Sequence, residues 1–150
     1  MKVFIAADHR GFDCKEKIKK LLSQRGFTVV DLGTDTDEVS FDYPKAAYSV
    51  ATRVARTKNS RGILVCLSGI GQAIAANKVT GAYAALCYNP EAAALSRRHN
   101  NANILVLSAR FIRPGQLPKI IDVWMKTKFE GGRHLRRFNQ IKRIEEGLDP

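Results

Sequence analysis

The sequence has no stretch suited to crossing a membrane, because no run of about 18 uncharged apolar residues occurs in it. The apolar start Val3-Phe4-Ile5-Ala6-Ala7 meets Asp8-His9-Arg10 before a secretory core could form, so a cytoplasmic chain is expected. Cysteine is scarce: Cys14, Cys66 and Cys87 are odd in number and lack Cys-x-x-Cys spacing. This excludes a disulfide framework and suits a reducing compartment. Three separated histidines, His9, His99 and His134, make a poor zinc set without paired cysteines, and no metal is expected. Aromatic residues are only 8% of the chain. Those in the basic last third, Phe111, Trp124, Phe129 and Phe138, fall on apolar or packing positions. No stacking platform for nucleic acid results. Internal repeats, low-complexity segments and linkers are also missing.

What remains is one domain, residues 1–150, 45% hydrophobic, with a formal charge of +11. A chain of this length buries roughly 70% of its unfolded surface and needs neither disulfide nor metal to fold. The charge is uneven. Residues 97–143 hold 12 basic and 2 acidic side chains, net +10, against +4 for residues 1–96 and −3 for the tail. Arginine dominates that third, and a planar guanidinium suits bidentate capture of phosphate. Arg133 and Arg137 stand one turn apart on a helix expected over about 131–146, so both can reach one phosphate; Arg136 points about 100° away.

Short apolar runs alternate with helical patterns. Strands are expected at Val3–Ala7, Phe27–Leu32, Gly62–Cys66, Ala82–Cys87 and Ile104–Leu107, separated by segments of helical period. Uncharged strand interiors separated by helices predict a doubly wound, Rossmann-like α/β domain, a five-stranded parallel sheet with helices on both faces. Ligands of such sheets bind beyond the carboxyl ends of the strands. The residues just after each strand therefore carry the functional reading.

The strongest of these is Cys66-Leu67-Ser68-Gly69-Ile70-Gly71-Gln72, a glycine-rich turn into a helix whose N–H groups favour an anion. Ile74 occupies the third glycine position of a dinucleotide fingerprint, and no Gly-Lys-Ser/Thr follows. A nucleophile elbow on Ser68 would need glycine where Cys66 stands, which leaves a Ser68/His99 hydrolase a weak choice. A receiver domain would want aspartate at this strand end. Cys66 remains: at a helix N-terminus its thiol pKa is expected to fall toward neutrality, making it a base able to take a proton from carbon beside an oxyanion hole. Cys14 and Cys87 read as packing residues.

Five motifs together resemble the type B ribose-5-phosphate isomerases: Asp8-His9-Arg10-Gly11; Asp42-Tyr43-Pro44; Cys66-x-Ser68-Gly69-x-Gly71 with Ala75-Ala76-Asn77-Lys78; Ser96-Arg97-x-His99-Asn100-x-Ala102-Asn103; and Gly131-Gly132-Arg133-His134-x-x-Arg137. The resemblance implies aldose–ketose isomerisation of ribose 5-phosphate and ribulose 5-phosphate in the pentose phosphate pathway through a cis-enediolate, without metal or organic cofactor. It implies Cys66 as base, Ser68 in the same proton traffic, and His99 with Asp8 in ring opening. The Gly69, Ile70, Gly71 and Ala73 backbone with Asn100 would form the anion hole. His9, Arg110, Arg133 and Arg137 would hold phosphate, and Tyr43 would wall the pocket. It also implies a homodimer or pair of dimers whose pocket takes its His99 and Arg110 side from the neighbouring subunit. Leu67 and Ser68 replace the family's usual glycine and threonine. A six-carbon phosphate such as allose 6-phosphate or galactose 6-phosphate is the alternative substrate, and a sugar-phosphate binding module without catalysis is the alternative class.

Overall fold

The computed structural model spans Met1–Pro150. Five strands, β1 (Lys2–Ala7), β2 (Thr28–Asp31), β3 (Ser60–Cys66), β4 (Ala84–Leu86) and β5 (Ile104–Ser108), form one sheet in the order β2-β1-β3-β5-β4. All neighbours run parallel. Six α-helices accompany them: α1 (Phe12–Gln24), α2 (Tyr43–Arg56), α3 (Ile70–Ala76), α4 (Pro90–Arg98), α5 (Leu117–Lys126) and α6 (Arg133–Glu145). None is long and apolar enough to cross a membrane.

Side-chain alternation divides the core between two faces. Val3, Ile5 and Ala7 of β1 pack with Ile18 and Leu22 of α1, Ala93 of α4 and Ile120, Ile121 and Trp124 of α5. Phe4 and Ala6 face the other way, onto Ala46, Ala47, Val50 and Val54 of α2 and Ala76 of α3. The expected doubly wound sheet is therefore observed.

The two edge strands are shorter than the sequence suggests. At β4 the expected start, Ala82–Tyr83, is drawn into loop bonds: the Tyr83 N–H donates to Asn103 Oδ1 (2.8 Å), and the Ala84 N–H donates to Asn77 Oδ1 (2.8 Å). β2 is trimmed to Thr28–Asp31, although the Leu32 N–H still donates to Ile5 O. The inner strands β1, β3 and β5, where the carboxyl ends matter most, are the long ones.

The winding reverses between β1 and β3, because β2 lies to one side of β1 and the remaining strands to the other. The loops leaving β1 and β3 thus flank the crevice at which sheets of this kind hold ligands. Asp8-His9 and the Cys66–Gly71 turn are those loops.

Candidate active site

The site is built around the end of β3. Cys66 is 8% exposed, and its Sγ–H donates to Asp8 Oδ2 at 2.9 Å. The other oxygen of Asp8 accepts the Gly11 N–H at 2.9 Å, which closes the short 3-10 turn after β1. One carboxylate is thus fixed by the backbone and aimed at the thiol. The N–H groups of Leu67 and Gly69 also point at the sulfur.

The thiol does not behave as its position at a helix mouth suggested. Burial, reinforced by the hydrogen bond to Asp8 and by that group's negative charge, pushes Cys66 up to about 11 rather than down toward neutrality. Two N–H groups and a helix of seven residues do not outweigh a desolvated sulfur beside a carboxylate. Cys66 rests as a thiol hydrogen-bonded to Asp8. Cys14 and Cys87 pack with the α1/α5 core, and burial raises both thiols.

The turn itself is shaped by glycine at two places. Gly69 adopts φ 83, and a Cβ there would lie 2.6 Å from Leu86 Cδ1. At Gly71 the ring of Tyr43 presses so close that a Cβ would stand 2.6 Å from it, which places Tyr43 beside this loop. Leu67 does not occupy the left-handed region, so it replaces glycine without backbone strain. It lines a cavity of about 360 Å³ with His9, Arg10, Asp13 and Asp37. His9 Nδ1 accepts the Phe41 N–H (3.3 Å), which leaves the opposite ring nitrogen for a ligand.

The expected anion hole needs one correction. The Ala73 N–H already donates to Gly69 O (3.0 Å) as the first full turn of α3, so it cannot also hold a substrate oxygen. The Ile70 N–H is turned to Ser68 Oγ at 3.3 Å. At the start of α3 the N–H groups of Gly71 and Gln72 have no protein acceptor. Gln72 belongs to the turn singled out in the sequence but has no role assigned there; its side chain is fully buried with both amide atoms unpartnered. Tyr88, likewise without an assigned role, donates its hydroxyl to Ser68 O (3.4 Å).

The remaining expected residues lie elsewhere. Helix α4 runs back from the carboxyl end of β4, so His99 and Asn100 emerge at the opposite edge of the sheet, where β5 begins. Asn103 O accepts the Gly62 N–H, four residues before Cys66, and four residues of strand span about 13 Å. Helix α5 returns the chain to that same far edge, where the Glu130 N–H donates to Arg98 O. Arg133 and Arg137 follow on α6, both exposed. Arg110 corrects the expected division: its N–H donates to Leu67 O (3.2 Å), which puts it on the edge of Cys66 and not with His99. One edge therefore carries Asp8, His9, Tyr43, Cys66, Ser68, the glycine turn and Arg110. The other carries His99, Asn100, Arg133 and Arg137.

At that far edge the rings of His99 and His134 stack with centroids 4.1 Å apart. Glu130 Oε2 lies 3.4 Å from His134 Nε2 and 3.8 Å from His99 Nε2. These three are the residues whose donor atoms could gather on a metal ion. Their surroundings oppose a cation, because Arg98 holds Glu130 Oε1 (2.8 Å) and Arg133 Nε donates to His134 Nε2 (3.4 Å). Burial and the neighbouring His99 and Arg133 hold His134 below the usual imidazole range.

Comparison with known proteins fits this geometry. Residues 3–141 match the sequence profile of the family described as Ribose/Galactose Isomerase. A probable ribose-5-phosphate isomerase B of Mycoplasma genitalium is 45% identical over 145 residues, covering 96% of this chain and 95% of that protein. The solved ribose-5-phosphate isomerase B of Clostridium thermocellum superposes with a TM-score of 0.95 at 44% identity, covering 98% of this chain and 99% of its own. A crystal structure of the Mycoplasma genitalium enzyme with bound ribulose-5-phosphate superposes with a TM-score of 0.93 at 44% identity, covering 97% and 96%. With a profile match over nearly its whole length and a thiol–carboxylate pair at the switch point of the sheet, the chain belongs to the ribose/galactose isomerase family.

Proposed function

We propose that this chain interconverts ribose 5-phosphate and ribulose 5-phosphate, with Cys66 as the carbon base. The observation that carries the reading is the Cys66–Asp8 hydrogen bond beneath the unpaired N–H groups of Gly71 and Gln72. The relatives named above supply the substrate class. Transfer of the thiol proton to Asp8 arms the sulfur. The thiolate then takes the C2 proton of the open-chain aldose, the electron pair enters the C1–C2 bond, and the aldehyde oxygen takes the charge. The free N–H groups hold that oxygen, and one such donor is worth roughly 3 to 4 kcal/mol. The proton on O2 passes to O1, with the Ser68 hydroxyl in reach of the loop. Cys66 returns its proton to C1 and leaves the ketone at C2.

The His99, Asn100, Arg133 and Arg137 edge faces away from Cys66, so the complete pocket takes that edge from a second copy of the chain. Its roles are ring opening by His99 and capture of phosphate by the α6 arginines, opposite His9 and Arg110. Exposed apolar side chains support such an assembly: Ile70 and Ile74 stand one turn apart on α3, Tyr43 and Tyr48 on the neighbouring α2, and Ile141 and Ile144 on α6. The free thiols fit a cytoplasmic setting.

An isomerase assay on ribose 5-phosphate tests the reading. Activity that survives a chelator, disappears on thiol alkylation and is lost in Cys66→Ala with phosphate binding retained supports it. Turnover retained by Cys66→Ala would end it. A second reading, a six-carbon phosphate, rests on Leu67, whose side chain enters the cavity beside His9.

A further inference from the structure

The largest cleft of the chain is not at Cys66. It measures about 600 Å³ and opens at the far edge of the sheet, where β1, β3, β4 and β5 begin. Its wall presents three cations, Arg61, Arg97 and Lys142, and three amides, Asn59, Asn101 and Asn103, but no carboxylate. Tyr83 and Phe138 supply an aromatic side. The adjacent Glu145 spends its oxygens on the Gly81 N–H (2.7 Å) and the Tyr83 hydroxyl (2.9 Å).

Two of the cations, Arg97 almost wholly and Arg61 in part, are withdrawn from water without a counter-ion. Arg61 and Arg97 lie over the ring of Trp124, at 5.0 and 5.9 Å from its centroid. Arg97 is only 7% exposed; Nη1 donates to Ala102 O, and Nε has no partner. Arg61 Nη1 is also buried and unpartnered. Burial lowers the pKa of both, and the charge of Arg61 helps bring Arg97 to about 10. Like charges buried together are unfavourable until an anion joins them. The charge-neutral way to satisfy both forks at once is an oxyanion with several acceptor oxygens.

We propose that this cleft binds a small phosphorylated molecule, its phosphate held by Arg61 and Arg97 with Lys142 at the rim and its body against Tyr83, Phe138 and the asparagine amides. The volume suits a nucleotide-sized ligand, within the roughly 300–1,000 Å³ usual for small-molecule sites. The cleft is separate from the phosphate grip proposed for catalysis. Phe138 and Lys142 continue the His134 stripe of α6, about 100° round the helix from the stripe of Arg133 and Arg137.

Trp124 is the sole tryptophan and lies under both guanidinium groups, so its fluorescence reports occupancy directly. The protein is titrated with inorganic phosphate, pyrophosphate and AMP. A saturable change is expected for pyrophosphate and AMP, with the dissociation constant raised at least tenfold in Arg61→Gln and severalfold in Lys142→Gln. Arg137→Ala should bind as the unaltered chain does, and Arg61→Gln should keep its isomerase rate in the absence of added anion. If Arg61→Gln does not fold by circular dichroism, Lys142→Gln on the exposed rim decides. No saturable response, a response unmoved by both substitutions, or one lost in Arg137→Ala overturns the proposal. The binding arms do not depend on turnover, so failure of the catalytic reading is scored separately.

Discussion

The Cys66 thiol donates to Asp8 across 2.9 Å, although the two residues are 58 positions apart in the chain. Adjacent parallel strands bring them together, since β1 and β3 are in register up to Ala7 and Val65. The carboxylate helps keep the proton on sulfur at rest, and in the proposed mechanism it is the group that receives it. Asp8→Asn removes both effects. Thiol alkylation followed against pH should then show Cys66 ionising below its present value near 11, while kcat falls by about 10²- to 10⁴-fold for want of the proton acceptor. A variant with a more acidic thiol and unchanged kcat would remove Asp8 from the proton path.

The same shift makes stability fall in alkali. An unfolded thiol titrates near 9, whereas folded Cys66 holds its proton to about 11. The folded state thus binds more protons over that window, and its advantage, complete below pH 9, is lost as the pH rises through 11. Melting temperatures measured from pH 8 to 11 should decline, and decline less in Cys66→Ala. The raised thiols Cys14 and Cys87 and the raised Tyr83 hydroxyl contribute a remaining slope. An identical decline in both proteins would assign the effect elsewhere.

Two inactive variants should repair each other if the pocket joins opposite edges of two copies. Cys66→Ala and His99→Ala each spoil every pocket in their own dimer. A mixed dimer places both defects in one pocket and leaves the other intact. After dissociation and random reassociation, half the dimers are mixed, so about one quarter of the original activity should return. Activity that stays at zero although mass spectrometry shows mixed dimers would mean that Cys66 and His99 work from the same chain.

How much of this was written in the sequence varies with distance along it. The Cys66–Gly71 turn is local, and its glycines mark a left-handed residue and a close approach that the structure contains at Gly69 and Gly71. The inner strands announce themselves because burial on both faces demands continuous apolar runs. Asp8 as the thiol's partner could not be read, since register between β1 and β3 is a tertiary fact. The direction of the Cys66 shift failed for the same reason: a helix start is visible in sequence, but the desolvation opposing it is not. Arg110 was misplaced because its neighbour Leu67 comes from another strand's loop. The pairing of Arg61 with Arg97 over Trp124 is likewise a tertiary fact, since the three residues come from different elements.

Leu67 should tune the length of sugar accepted. Its backbone is unstrained and its side chain faces the cavity shared with His9, so Leu67→Gly enlarges the pocket at an expected cost of roughly 0.5 to 1 kcal/mol in stability. The ratio of kcat/KM for allose 6-phosphate to that for ribose 5-phosphate should rise, by about tenfold for a side chain of this size. A ratio unchanged by the substitution would place the sugar away from Leu67.

Gly71 and Tyr43 offer a test of the pocket wall by paired substitution. A Cβ on residue 71 would meet the Tyr43 ring at 2.6 and 2.7 Å, closer than such atoms approach. Tyr43 is 43% exposed at the start of α2, so its ring can swing outward instead of unfolding the turn. Gly71→Ala should therefore raise KM severalfold, by displacing the wall, with a stability loss within about 1 to 3 kcal/mol. Tyr43→Ala alone should also raise KM. In the double variant the clash has no partner, so adding Gly71→Ala to Tyr43→Ala should cost almost nothing further in either stability or KM. Such non-additivity is the signature of direct contact. Strictly additive effects would show instead that residue 71 acts through its N–H group alone, and that the ring of Tyr43 has no part in holding the turn.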